Sequence, residues 1–321
     1  MGQTMQNNFP FKPDVRIIDV LQKGRFTLSA EVIPPRNGAE QNEILNQIHS
    51  LVQAGAEFLA VTKGAGGSLR GGSLPIAQVI KEKFGVPCIA HFTCRDLLPV
   101  EIENQLMDHH YFGVRNILAL RGDPPEGQPE WKPRAGGYHY AYKLIQQIKN
   151  LNLGHYLPRL HSANLPAQEP TQFCIGAAVY PDYPDLDEQI GFFKQKTDAG
   201  AEFAITDMLF DPESYSGFLE RCYAQDIKIP ILPGTRVLKS RNQVDKMLKK
   251  FKLRLPPSLY DALPDRDCED SIKLGVELFL KLVEQLKAAG APGVHLFVIS
   301  DTLGAQTALK ELAKNQNQCK S

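Results

Sequence analysis

The sequence lacks the features that would place it in several broad classes. Lys+Arg and Asp+Glu both number 36 in 321 residues, so the formal net charge is zero. No excess of basic charge marks a nucleic-acid or polyanion partner. No apolar run approaches the roughly 20 residues needed to cross a bilayer, so no membrane partner is expected. The opening MGQTMQNNFPF has no basic-then-apolar leader pattern. Gln6 stands where a myristoylation motif needs Ser or Thr. A cytoplasmic protein is expected. The six cysteines, at 88, 94, 174, 222, 268 and 319, form no CxxC pair and no zinc spacing. Several lie in apolar runs and read as buried, reduced thiols. No metal site is expected, and His109-His110 reads as a solvated helix end because adjacent residues do not share a helix face.

What is present describes a soluble domain with a full core: 43% hydrophobic and 22% charged residues. Short apolar runs predict strands over 26–31, 58–62, 87–92, 116–120, 173–179, 203–206, 229–232 and 294–299. Between them, helical periodicity predicts helices over 41–54, 74–84, 100–112, 138–151, 186–199, 212–225, 239–252, 272–289 and 302–314. A further short helix over 15–24 is expected to cap one end of the fold, after a polar, Pro-punctuated arm over 1–14. Eight strand–helix units, lengthened by loops at 126–137 and 152–171 and by extra helix after the seventh strand, argue for a single-domain (β/α)8 TIM barrel. The expected division is an arm and short helix over 1–25, the barrel over 26–316 and a tail over 317–321. A doubly wound open sheet is the runner-up. Against it, no GxGxxG opens the first helix, and no acidic residue can be placed a strand later.

The chain is organised around VRNILALRGDPP, residues 114–125. An apolar strand stops at Arg121-Gly122-Asp123, and Pro124-Pro125 forbids a continued ladder. Parallel barrels carry their chemistry at such strand ends. Glu31, Thr62, His91, Asp123, Tyr180 and Asp207 all fall at predicted strand ends and so converge on one mouth. Carboxylates, an imidazole and a phenol around an apolar pocket suit proton transfer beside an organic ligand. Glu31 lies between Ala30 and Val32-Ile33. That apolar setting is expected to raise its pKa and keep it protonated near neutrality.

LSAEVIPPR, VTKGAGGS, IAHFTC, NILALRGDPP, AAVYPD, KTDAGAEFAITDMLFD and ILPG follow one another from residue 28 to residue 234. In this order they resemble the successive motifs of the methylenetetrahydrofolate reductase family. The resemblance implies a TIM barrel with FAD at its C-terminal mouth. It also implies ping-pong reduction of 5,10-methylenetetrahydrofolate to 5-methyltetrahydrofolate, with NAD(P)H as the expected electron donor. By motif, Glu31 resembles the general acid that opens the folate ring, and Asp123 the aspartate beside the flavin that also contacts the pterin. Thr62, Lys63, Ala65, His91, Arg121, Gly122, Asp123, Tyr140, Ala141, Tyr180 and Lys196 fall at FAD-binding positions. Glu31, Asp123 and Asp207 fall at substrate-binding ones. Arg121 and Lys196 suit a pyrophosphate.

The chain departs from the family pattern at several of these positions. Lys63 replaces an aromatic, and Asp207 replaces a glutamine that reaches pterin and nicotinamide. Tyr183 stands near a usual histidine, and Gln189, Phe192 and Gln195 replace polar or charged FAD contacts. Arg241 falls near a stacking aromatic. The flavin-ring pocket is thus expected intact, with an altered adenylate end and weakened FAD retention. The alternative reading is a flavin-poor, folate-binding barrel acting as a subunit of a larger redox or methyl-transfer complex. A homo-oligomer or a redox partner subunit is compatible with either. The sequence ends soon after the barrel, so the regulatory domain of some family members is not expected.

Overall fold

A computed structural model describes residues 11–35, 38–64, 71–125, 127–128, 131–158, 168–251, 253–299 and 302–318. Eight parallel strands close into a barrel in sequence order: β1 (Thr27–Val32), β2 (Phe58–Val61), β3 (Cys88–Thr93), β4 (Asn116–Leu120), β5 (Cys174–Val179), β6 (Phe203–Met208), β7 (Ile231–Thr235) and β8 (Gly293–Phe297). β1 closes the ring on β8, with Ser29 opposite His295 and Glu31 opposite Phe297. The (β/α)8 TIM barrel expected from the strand–helix rhythm is the fold observed.

Strand alternation sorts the side chains. In β1, Leu28, Ala30 and Val32 join the outer layer between sheet and helices. Ser29 and Glu31 therefore point the other way, into the barrel. Phe58, Ala60, Ile89, Leu118, Cys174, Phe203, Ile205 and Leu232 pack together with a short helix, α1 (Ile17–Leu21). That helix closes the end of the barrel opposite the strand C-termini, as expected of the 15–24 segment. It is tied there by Asn116, whose Oδ1 accepts from the Ile17 N–H at 2.9 Å and whose Nδ2 donates to the Val15 carbonyl at 2.9 Å. Among the described residues α1 thus plugs one end of the barrel, and the strand C-termini gather at the other.

The outer helices are α2 (Gln41–Gln53), α3 (Ser73–Val79), α4 (Pro99–Tyr111), α5 (Ala141–Asn152), α6 (Leu186–Ala199), α7 (Pro212–Ala224), α8 (Arg241–Leu248), α9 (Pro257–Asp261), α10 (Ser271–Ala288) and α11 (Thr302–Gln318). α3 runs on into a π-helical turn, Ile80–Phe84. Local chemistry sets the ends. Asp185 caps α6 by accepting from the Glu188 N–H at 2.9 Å, and Asp211 caps α7 ahead of Pro212. α9 lies in the Pro-rich crossing, where no helix was expected. α8 is shorter than its periodicity suggests, starting only after the Ser240 cap.

β7 departs most from the sequence expectation. Pro233 should end a central strand because it cannot donate to the ladder, yet β7 continues to Thr235. The neighbouring β6 carries a register irregularity between Ile205 and Met208. There the Thr206 hydroxyl accepts the Gly234 N–H at 2.8 Å, and the Leu209 N–H donates to the Gly234 carbonyl at 2.8 Å. A side-chain oxygen and a bulge thus replace the regular ladder. Bulges re-aim side chains at barrel rims, and this one lies beside Asp207.

Candidate active site

Glu31, His91 and Asp207 lie within the last two or three residues of β1, β3 and β6 rather than just beyond them. Thr62 immediately follows β2, and Tyr180 follows β5. These five line the mouth. Thr62 Oγ1 and Asp207 Oδ1 are buried there with no hydrogen-bond partner among the described residues. Buried polar atoms are rarely left so, and a polar ligand would satisfy them.

Glu31 does not have the setting its sequence neighbours suggest. Its Oε2 lies 3.2 Å from His91 Nε2 and 3.7 Å from His295 Nε2. The nitrogens are close enough for strong attraction without being aligned as full hydrogen bonds. Burial works to raise the carboxyl pKa, but the two imidazoles together outweigh it and lower it to about 2. The expectation of a protonated Glu31 is therefore corrected. Ala30 and Val32, the apolar neighbours in sequence, point to the outer layer, while the groups that face Glu31 come from β3 and β8.

The mouth does hold a carboxyl with a raised pKa, at Asp207. Burial, and then the charge of Asp182, push it up to about 8. Asp207, Asp123 and Arg121 each lie within electrostatic range of Tyr180, more than a third of whose surface is exposed at the rim (38%). Lys196, on α6, donates to the Ala178 carbonyl at 2.8 Å and lies 5.8 Å from the Tyr180 ring centre. Burial and the neighbouring Arg121 lower its ammonium to about 8. An anion placed between Arg121 and Lys196 would relieve that repulsion.

The loop after β4 carries Arg121, Gly122 and Asp123 into solvent at the rim. Its shape requires glycine. Gly122 has φ +94°, and a Cβ there would sit 2.9 Å from Arg95 Cβ and 3.2 Å from Thr93 Cβ. The Arg95 guanidinium holds the loop by donating to the Asp123 carbonyl at 2.6 Å. Tyr140 caps α5 and Ala141 begins it.

Lys63 is not brought to this cluster. Its side chain turns outward, donates to Gln105 Oε1 at 3.1 Å and lies 4.3 Å from the centre of the Phe92 ring, between β3 and α4. Burial there lowers its ammonium to about 8. Arg241 is likewise occupied elsewhere, donating to the Asp261 and Tyr260 carbonyls of α9. Ala65 lies outside the described residues. Phe192, read as replacing a polar contact of the family pattern, stacks on Tyr140 with ring centres 5.5 Å apart. His109 is a second correction. It is buried rather than solvated, with Nδ1 2.7 Å from the Gln105 carbonyl and its ring edge-on to Phe92, and burial lowers its pKa to about 4.

His295 and Ser29 are the residues that reading the sequence missed. His295 is wholly buried on β8, and its Nδ1 lies 2.9 Å from Ser29 Oγ. The available signal was alternation. In VHLFVI, His295 and Phe297 occupy one phase of a strand whose other phase, Val294, Leu296 and Val298, is purely aliphatic. Four cysteines, 88, 94, 174 and 222, are buried free thiols as expected, while Cys268 is exposed. Among the described residues no group of His, Cys, Asp and Glu could hold a metal. No described helix is long and apolar enough to cross a membrane.

Comparison with known proteins bears on this mouth directly. The chain is 30% identical over 285 residues to methylenetetrahydrofolate reductase 1 of Schizosaccharomyces pombe, covering 87% of this chain and 44% of that protein. It is 29% identical over 287 residues to the 5,10-methylenetetrahydrofolate reductase of Escherichia coli, covering 87% of this chain and 88% of that one. The rice relative, described as a probable NADH-dependent methylenetetrahydrofolate reductase, is 29% identical with 48% covered, so the chain spans about half the length of the eukaryotic relatives it matches. Among solved structures, a Clostridium thermocellum protein described as binding two copies of 5-methyl-5,6,7,8-tetrahydrofolic acid aligns over 93% of this chain and 99% of its own. Its TM-score is 0.54 at 14% identity, a likeness of fold. The methylenetetrahydrofolate reductase family pattern matches residues 16–315, from the plug helix α1 to the last helix and so across every strand end that forms the mouth; this chain belongs to that family.

Proposed function

We propose that this protein reduces 5,10-methylenetetrahydrofolate to 5-methyltetrahydrofolate, with FAD in the mouth and NAD(P)H as electron donor. The observation that carries the reading is the Glu31 carboxylate at the end of β1. It is paired with two imidazoles and faces a mouth whose other polar atoms await a ligand. Hydride transfer to the folate needs an electrophilic iminium, and the closed ring of the substrate is not one. A proton on the departing nitrogen opens it, and an acid beside that nitrogen must supply the proton.

The residues present fit FAD. Thr62 Oγ1 is a buried hydroxyl with no partner among the described residues, and Arg121 and Lys196 form a cationic pair for a pyrophosphate. In this reading His91, Tyr140, Ala141 and Tyr180 complete the cofactor's surroundings, and Asp123 adjoins both ligands. Bound FAD would supply the hydride-carrying chemistry between the donor and the folate. Asp207, held protonated near neutrality, offers a pterin edge one O–H donor and one carbonyl acceptor, the pair an amide offers. Glu31 takes a proton from the adjoining imidazoles and gives it to the folate nitrogen.

Anaerobic stopped-flow mixing separates the steps. Flavin bleaching by NADH or NADPH should survive Glu31→Gln, because that half needs no proton from Glu31. Reoxidation by methylenetetrahydrofolate should fall roughly 10²–10⁴-fold, the usual worth of a general acid. Reoxidation at the parent rate would remove Glu31 as the acid. The second reading, a flavin-poor folate-binding subunit, is favoured by Phe192 closing on Tyr140 in place of a polar FAD contact of the family pattern. Colourless protein that binds the folate but takes up no added FAD would decide for it.

A further inference from the structure

Glu31 pairs with Phe297 across the β1–β8 seam and Ser29 with His295, two positions back along the strands and on the same face. Ser29 lies directly opposite His295, and its hydroxyl makes two contacts: Oγ is 3.1 Å from the Val294 carbonyl and 2.9 Å from His295 Nδ1. A carbonyl only accepts, so the single hydroxyl proton goes to Val294. With the hydroxyl proton on Val294, the Ser29 oxygen accepts from His295, and we assign Nδ1 its hydrogen in both charge states. Only Nε2 is left to gain or lose a proton, and Nε2 is the atom that faces Glu31 Oε2 at 3.7 Å.

That arrangement cannot rest with both groups bare. A neutral ring with hydrogen on Nδ1 directs the Nε2 lone pair at a carboxylate, a repulsive contact inside the barrel. One proton between them removes it, either as imidazolium beside carboxylate or as neutral imidazole beside carboxylic acid. The ring is otherwise boxed by apolar surface. Phe58 stacks on it at 6.2 Å between centres, and Phe297 meets it edge-on at 5.5 Å. Among the described residues the titratable group that joins Glu31 of β1 and His295 of β8 is His91 of β3, whose Nε2 lies 3.2 Å from the same Glu31 Oε2.

We propose that Glu31 and His295 hold one mobile proton in common, with Ser29 selecting Nε2 as the nitrogen that carries it. At rest the proton sits on Nε2 beside the ionised Glu31. When a ligand expels water from the mouth, the N–H bond breaks and an O–H bond forms on Glu31, leaving two neutral groups. Glu31 then gives this proton to the departing folate nitrogen as the carbon–nitrogen bond breaks toward nitrogen. The pair is reloaded by one proton from solvent. This last delivery rests on the reductase reading, whereas the shared proton does not. His295 is thus a positioning residue that stores the proton its neighbour spends.

Two-bond 1H–15N correlation spectra of the ligand-free, 15N-histidine-labelled protein test the pair without flavin or folate, with His295→Asn assigning the signal. Neutral His295 should carry its hydrogen on Nδ1, the less common tautomer, and Ser29→Ala should return it to Nε2. Glu31→Gln should change how much hydrogen Nε2 of His295 carries in these spectra. A neutral Nε2–H tautomer in the parent, or a His295 spectrum indifferent to Glu31→Gln, overturns the proposal. In turnover, His295→Gln keeps an N–H donor facing Glu31 but holds no mobile proton. Reoxidation should fall roughly 10²-fold, with loss of one limb of its pH profile while flavin reduction persists. Full activity and an unchanged profile in His295→Gln would reduce His295 to packing. A parent protein with no turnover would defeat the reductase reading alone, since the spectra decide the pair.

Discussion

Replacing Asp207 by asparagine should stabilise the protein, and increasingly so as pH rises. In the folded chain burial and Asp182 raise this carboxyl from 3.8 to about 8. The folded state therefore keeps a proton that the unfolded state has already lost between those values. Where the folded state binds the extra proton, stability falls with rising pH, by about 1.4 kcal/mol per unit for one proton. Between about pH 5.5 and 8 this reaches on the order of 3 kcal/mol. Water in the open mouth screens it, so a change of about 1.5–3 kcal/mol is expected. Asparagine keeps the shape and a donor but cannot ionise, so its stability lacks this slope. Asp14 is also raised, to about 6 by burial, but it is present in both proteins and cancels in their difference. Glu31, held at about 2, changes charge below this window and contributes no slope within it. Urea unfolding of parent and variant across the range measures the gap. A gap that stays constant with pH would mean that Asp207 is ionised in the folded protein, and the argument for a neutral carboxyl in the mouth would fail.

Three further changes probe separate links. Lys196→Met should weaken FAD binding roughly 10-fold or more through loss of one charge-assisted contact, read by quenching of flavin fluorescence; unchanged affinity would place the pyrophosphate elsewhere. Gly122→Ala should cost about 1–3 kcal/mol in urea unfolding, since the β4 loop must hold a positive φ with Arg95 and Thr93 in the way, and a neutral result would mean the loop takes another path. Asp185→Ala should cost about 0.5–2 kcal/mol by removing the α6 cap, without altering ligand affinity; a change in FAD binding of similar size would show that α6 moves as a unit with Lys196.

The fold and most of the rim were legible in the sequence because both rest on local, repeating chemistry. β4 and α6 were expected at 116–120 and 186–199, the bounds at which they form. Each is closed by residues with one local meaning: Pro124-Pro125 after the strand, Asp185 before the helix and Gly200 after it. Glu31, His91 and Asp207 converge because parallel strands of a closed barrel bring their C-terminal ends to one rim, whatever the intervening helices contain. β7 was read short because Pro233 normally ends a central strand. The Thr206 hydroxyl that accepts the Gly234 N–H is 28 residues away in sequence, and no local pattern announces it.

Protonation states were decided by the tertiary structure alone. Along the chain Glu31 has apolar neighbours, and Asp207 stands between Thr206 and Met208. In space the order reverses: Glu31 gains two imidazoles from β3 and β8, while Asp207 gains burial and a second carboxylate. Sequence alternation states which face of a strand a residue occupies, but a pKa depends on charges a few ångströms away through space, and in a barrel those charges come from other strands. The same reason sends Lys63 outward to Phe92 and Gln105, and makes a partner of His295, which lies 264 positions from Glu31 in sequence and 3.7 Å from it across the closed seam.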